Sequence, residues 1–184
     1  MANGTLKVQN IETSSGSGTI TLGQSGETIA LGATTNNLLT PAFQLYMSAD
    51  DTGNTDGATV IAELDTAAID TDNGFDSSTY TYTTQKAGKY FVYAKTTVVC
   101  PTADARSHQT FVYKNGSTIL SNELQTVNFE INDNAKCSVA QTSGIVDLAV
   151  GDTLKLYARM NTSAAVFTVT SGIQETTLGG FKII

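Results

Sequence analysis

His108 is the only histidine in the chain, and it has Ser107 beside it and Asp104 four residues earlier. A hydroxyl, an imidazole and a carboxylate are the parts of a nucleophile, base and orienter set for acyl transfer. Such a set needs a nucleophile on a sharp strand-to-helix elbow, and no Gly-x-Ser-x-Gly surrounds any serine here. The sequence therefore reads His108 as a polar loop residue. Asp50, Asp51, Asp56, Asp70, Asp72 and Asp76 crowd the stretch before Asn73. Paired carboxylates cleave glycosides when an apolar setting raises the pKa of one of them, and none of these stands in such a setting. Several carboxylates close in sequence also suit calcium, a hard cation that takes many oxygen ligands. EF-hand spacing is absent, and turn-forming aspartate is the simpler account, with calcium as the one metal to test. Cys100 and Cys137 are far apart and form no Cys-x-x-Cys, and a single histidine argues against zinc. The expectation is two reduced, buried thiols, with a disulfide formed after release as the alternative. No phosphate-cradling glycine loop is present, and no resident cofactor is implied.

The composition bounds what could position these groups. The chain has 184 residues, enough for one domain with an appendage, and can bury a core without metal or disulfide. Hydrophobic residues make up 40% and charged residues only 15%, the balance being rich in Thr, Ser, Asn and Gly. That is a β-rich composition. Ten Lys+Arg against 17 Asp+Glu give a net charge of -7, and the cations never cluster, so no nucleic-acid partner is expected. No apolar run approaches membrane-spanning length, and no membrane insertion is expected. The start, Met1-Ala-Asn-Gly-Thr5, lacks the basic and apolar regions of a signal peptide, which implies folding in a cytoplasm.

Residues 1–37 differ from the rest. Thr19-Ile-Thr-Leu-Gly23 is echoed nine residues later by Thr28-Ile-Ala-Leu-Gly32, and Ile11, Ile20 and Ile29 share that period. Each unit reads as a short alternating strand closed by a glycine turn. So few copies barely bury an apolar face alone, whereas three chains wrapped together could. Ile11, Ile20, Leu22, Ile29 and Leu31 are thus expected to point inward in a trimeric β-stalk or against a virion partner. From residue 38 to 184 the text is short strands with turn punctuation. They are expected at 43–47, 79–84, 89–99, 109–114, 125–131, 137–150, 153–160, 165–169 and 181–184. Residues 58–70 are ambiguous, since Val60, Ile61 and Leu64 also fit a helical turn. Asn115-Gly116 is the strongest hairpin signal. About ten strands with almost no helix argue for an all-β sandwich or jelly roll.

Particular residues narrow this further. Asn73-Gly-Phe-Asp76 is followed by a strand and then by Ala87-Gly-Lys-Tyr90. Thr40-Pro-Ala-Phe43 precedes them. Lys114-Asn-Gly-Ser117, Val150-Gly-Asp-Thr-Leu154, Lys155-Leu-Tyr-Ala158 and Gly179-Gly-Phe181 follow in order. Over residues 40–184 this pattern closely resembles C1q/TNF-like domains. It departs at Val92 and Ala94, where the family prefers aromatics, and at Thr177-Leu178, where a Ser/Thr-aromatic pair is usual. The resemblance implies a ten-strand jelly-roll sandwich, three of which meet along an apolar axis as a homotrimer that binds or displays and does not catalyse. It implies core or trimer packing for Phe43, Phe75, Tyr90, Phe91 and Phe181. Some members of that family bind calcium near the trimer apex.

Leu6-Lys-Val-Gln-Asn-Ile11 followed by Gly18-Thr-Ile-Thr-Leu-Gly23 resembles leaders on phage virion proteins. The reading is then a non-enzymatic trimeric virion protein, a surface fibre or a capsid or tail decoration, assembled in the host cytoplasm. Its expected partners are itself, other virion proteins, and host surface polysaccharide or protein. Receptor-facing loops are expected around Asp51 and Asp56, and around Asp104, Arg106 and His108. The alternatives are a bacterial secreted C1q-like binding module and, last, a polysaccharide depolymerase.

Overall fold

The computed structural model describes residues 41–100, 105–125, 137–162 and 165–183. Ile11, Ile20, Leu22, Ile29, Leu31 and Asp104 lie outside them, as do the boundary at residue 37 and most of the strand expected at 125–131. The described chain forms thirteen strands: β1 Ala42–Tyr46, β2 Asp51–Thr55, β3 Thr59–Ile61, β4 Thr66–Asp70, β5 Phe75–Asp76, β6 Thr81–Thr83, β7 Gly88–Val99, β8 Ala105–Lys114, β9 Ser117–Gln125, β10 Cys137–Leu148, β11 Thr153–Thr162, β12 Val166–Val169 and β13 Thr177–Lys182. The ambiguous stretch is two strands, β3 and β4, with Leu64 buried between them. Val60, Ile61 and Ile69 are β-branched, and a helix of so few turns is marginal alone, so sheet pairing decides. β2 and β5 were not among the expected strands, β9 is the second arm of the Asn115-Gly116 hairpin, and β13 begins at Thr177 rather than at 181. β2 reads Asp-Thr-Gly-Asn-Thr, which carries no apolar alternation at all.

Two antiparallel sheets face each other. The first runs β2-β12-β7-β13-β1-β4, with β10 along the other edge of β7. The second runs β5-β6-β11-β8-β9, with β3 also on β11. The longest pairing joins β7 to β10 from Gly88↔Leu148 to Val99↔Cys137. Strand period 2 sends Tyr90, Val92 and Ala94 of β7 into the core and Phe91, Tyr93 and Lys95 outward. β11 alternates without interruption, with Leu154, Leu156, Ala158 and Met160 inside. Phe43 of β1 stacks on Tyr82 of β6 at 3.8 Å between ring centroids, which ties the sheets together at one end.

Turn chemistry sets the register. Asn115 and Gly116 adopt φ of 51° and 80°, the left-handed pair of a two-residue turn that matches strand twist. The Asn115 side chain then accepts from Thr153 N at 2.9 Å and donates to Asp152 at 2.7 Å, joining this hairpin to the start of β11. Lys114, with Ala149 N and Asn115, holds the Asp152 carboxyl down to about 2.

Candidate functional site

His108 is not a loop residue. β8 begins at Ala105, so period 2 places His108 among the inward side chains, fully buried. Its Nε2 lies 2.8 Å from Thr96 Oγ1 of β7 and its Nδ1 lies 3.2 Å from Ser138 Oγ of β10. Thr110 closes the cluster, 2.5 Å from Thr96 and donating to Ala140 O. Both ring nitrogens are therefore engaged between the sheets, and burial pushes the imidazole pKa down to about 4. Ser107 is nearly buried and accepts from Asn161. His108 thus leaves the expected receptor-facing set. Arg106 stays exposed, beside the bulge where the β8–β11 register shifts.

The aspartates act singly. Asp50 accepts from Ser171 N, Asp56 from Thr162 N, and Asp70 from Gly74 N and Phe75 N. Asp51 takes the Asn54 amide, Asp72 lies 3.8 Å from Lys86, and Asp76 receives Ser78 and Thr79. Among the described residues no three acidic, His or Cys side chains converge on a point a metal could occupy. Asp50, Asp56, Asp70 and Asp76 accept backbone N–H groups, the common use of Asp in loops. Asp51 itself lies in β2 rather than in a loop. Cys100 is buried with its Sγ 3.2 Å from Met160 Sδ, and the Cys137 backbone pairs with Val99.

The aromatics proposed for packing divide into two groups. Phe43 and Tyr90 are buried, and Phe75 packs partly buried against them. Phe91 and Phe181 lie on the outer face of the first sheet, directly paired across β7 and β13, with ring centroids 5.6 Å apart. Ile145 of β10 pairs with Phe91 from the other side and is 67% exposed. Ile145, Phe91 and Phe181 thus form one apolar row across three strands. Tyr93 lies next to it, 6.4 Å from Phe91, and its ring crosses Gly179 where any Cβ would collide. Every exposed large hydrophobic that lies in a described strand (Ile69, Val139, Ile145, Val166 and Phe181) belongs to this sheet. Beside the row is an open concavity of about 710 Å³, lined by Tyr93, Lys95, Gln141, Ile173 and Thr177 among others.

The second sheet presents a different outer face, which sequence reasoning missed. Phe111, Tyr113 and Tyr157 lie there half-buried. Tyr113 and Tyr157 approach to 4.3 Å at 33°, and Phe111 meets Tyr113 edge-on at 6.2 Å. Lys155 pairs with Tyr113, and Arg159 with Gln109. The signal is the alternation Lys155-Leu-Tyr-Ala-Arg159 within the strand expected at 153–160.

No family model and no curated protein sequence matches the chain. Solved structures do resemble it. The TNF protein Eiger from S. frugiperda is 13% identical over 79% of this chain and 93% of its own, with a TM-score of 0.59. Murine APRIL, crystallised at pH 8.5, is 13% identical over 79% of this chain and 100% of its own, with a TM-score of 0.56. The fold is a TNF-like jelly roll of two antiparallel sheets.

Proposed function

We propose that the chain is a non-enzymatic virion surface protein, a homotrimer whose jelly-roll heads associate through the outer face of the first sheet. The observation that carries this is the apolar row on the outer face of one sheet, with Ile145 and Phe181 exposed and Phe91 and Tyr93 half-buried between them. A contiguous exposed apolar patch of this kind marks an interaction surface. Identical heads turned about a three-fold axis would close a ring and cover it. The concavity next to Tyr93 offers room for a side chain of the neighbouring copy.

The non-catalytic part of the proposal rests on the use made of the likeliest catalytic group. His108 has both ring nitrogens engaged inside the sandwich and cannot reach a substrate outside it. Residues 1–37 would attach the head to a particle assembled in the host cytoplasm, as fibre or as capsid or tail decoration. The exposed surfaces would adhere to host polysaccharide or protein. Sedimentation of the full chain at micromolar concentration should give three times the chain mass, and a monomer would refute the assembly. Mass spectrometry of purified phage particles should find the chain in stoichiometric amount. Its absence there would refute the virion role.

A further inference from the structure

We infer that the outer face of the second sheet is a binding platform for an acidic polysaccharide. The inference rests on the proposed assembly, because a trimer closed through the first sheet leaves the second facing outward. Three features argue for it.

The first is shape. The platform is an open sheet surface, which suits a polymer that lies across strands. Its centre is the Tyr113–Tyr157 pair with Phe111, on two neighbouring strands in register Tyr157↔Phe111 and Lys155↔Tyr113. The apolar C–H faces of pyranose rings stack on aromatic rings of this kind, while their hydroxyls need polar neighbours. The second feature supplies those neighbours. The outward positions around the aromatics include Thr59 of β3, Gln109 of β8, and Thr153 and Asn161 of β11, with one apolar member, Ile61, opposite Tyr157. A few hydrogen-bonding groups around an aromatic centre is the usual make-up of a carbohydrate-sized site.

The third is charge. In a chain of net charge -7, the outward positions of β3, β8 and β11 carry Lys155 and Arg159 and no carboxylate. Asp76 lies at the far edge in β5 with its oxygens taken by Ser78 and Thr79. Glu123 of β9 holds the register position beside Gln109, so the cationic strip is the β11 pair and does not extend to the β9 edge. A guanidinium and an ammonium on one face suit carboxylate or sulfate oxygens, which a neutral glycan lacks.

The test uses the purified full-length protein and titration calorimetry with dextran, dextran sulfate and alginate in 100 mM salt. Binding to at least one acidic polymer with dextran at least tenfold weaker is expected. The double variant K155Q/R159Q keeps the strand and its shape, and it should weaken that binding tenfold or more while sedimentation stays unchanged. Raising salt should weaken the wild type more than the variant. Three results would each overturn the inference: no binding to either acidic polymer, equal binding to dextran, or full affinity in K155Q/R159Q. Retention of a host-envelope protein by wild type and K155Q/R159Q alike, with no polymer binding, would also overturn it in favour of a protein ligand. A monomeric wild type would instead strike the assembly reading, so the two failures are told apart by mass.

Discussion

The two sheets of this jelly roll both carry aromatics on their outer faces, yet the faces differ in what surrounds those rings. On the first, Phe91, Tyr93 and Phe181 have Ile145 for a neighbour, opposite Phe91. On the second, Phe111, Tyr113 and Tyr157 have Lys155, Arg159 and Gln109. An apolar surround leaves a surface no soluble ligand satisfies, and it is met best by a copy of itself. A polar and cationic surround can stay in water and still capture a ligand. Aromatic content alone would not distinguish them.

The largest effect should come from placing a charge in the apolar row. Ile145→Asp or Phe181→Asp would bury a carboxylate against its own three-fold copies, without a partner, in the proposed trimer. Both residues are exposed in the single chain, so the fold itself should lose little. The expected outcome is a folded monomer at micromolar concentration, read by sedimentation and circular dichroism together. A trimer with either substitution would mean that the first face is not the contact.

Next in size is an effect on the junction between the sheets, since both faces vanish if they part. His108 on β8 meets Thr96 and Ser138 from the opposite sheet. Burial lowers its pKa from 6.5 to about 4, so the fold holds it neutral. Above pH 6.5 it is neutral folded and unfolded, and its contribution is fully present. As pH falls from 6.5 to 4 the unfolded chain takes up a proton that the fold excludes, so stability drops by roughly 3 kcal/mol. The carboxylates held low by hydrogen bonds, such as Asp50, Asp65 and Asp152, act only below this window. Urea midpoints at pH 7.5 and 4.5 should therefore differ for wild type. His108→Gln should lose most of that difference, at a cost of about 1–3 kcal/mol at pH 7.5 from the polar groups left unpaired.

Neighbouring glycines in β13 separate fold from assembly. A Cβ on Gly180 would lie 2.9 Å from Phe91 O and 3.0 Å from the Phe43 ring, so backbone and core must both yield. Gly180→Ala should cost about 1–3 kcal/mol of stability. A Cβ on Gly179 meets only the far end of Tyr93, a side chain that can swing away. Gly179→Ala should leave the melting temperature nearly unchanged but weaken the trimer by lifting Tyr93 off the sheet. Thermal melts and concentration-dependent sedimentation of the two variants would expose a reversal.

The sequence made the turns and the long strands legible, because their chemistry is local. Asn115-Gly116 names its own turn, and β7 begins where Gly88-Lys-Tyr90 suggests. It did not reveal which residues of β7 face out. Tyr90 to Ala94 is apolar or aromatic on both faces, so the period of 2 is hidden there, and the packing of the sheets sorts Tyr90 inward and Phe91 outward. Val92 and Ala94, departures from the family pattern, are core residues sized to their neighbours. His108 was misplaced for a related reason. A polar run from Ala105 to Gln109 looks like a loop, and only the cross-sheet partners Thr96 and Ser138, distant in sequence, make a buried strand of it. β2 was invisible because an edge strand held by turn contacts needs no apolar face.

The smallest effect is the sharpest control on the comparison. Tyr157→Thr removes an aromatic from the second face as Phe181→Asp removes one from the first. Thr has high strand propensity and Tyr157 points outward, so β11 should keep its pairing with β3 and β8. What is lost is the 4.3 Å contact with Tyr113, worth about 0.5–1.5 kcal/mol. The midpoint of unfolding should fall by that small amount, and the sedimenting mass should not change. The asymmetry is the point, because hydrophobicity alone would predict that removing either aromatic loosens the assembly. If Tyr157→Thr also yields monomers, the second sheet takes part in self-association, and the assignment of one face to assembly and the other to ligand would have to be reversed or merged.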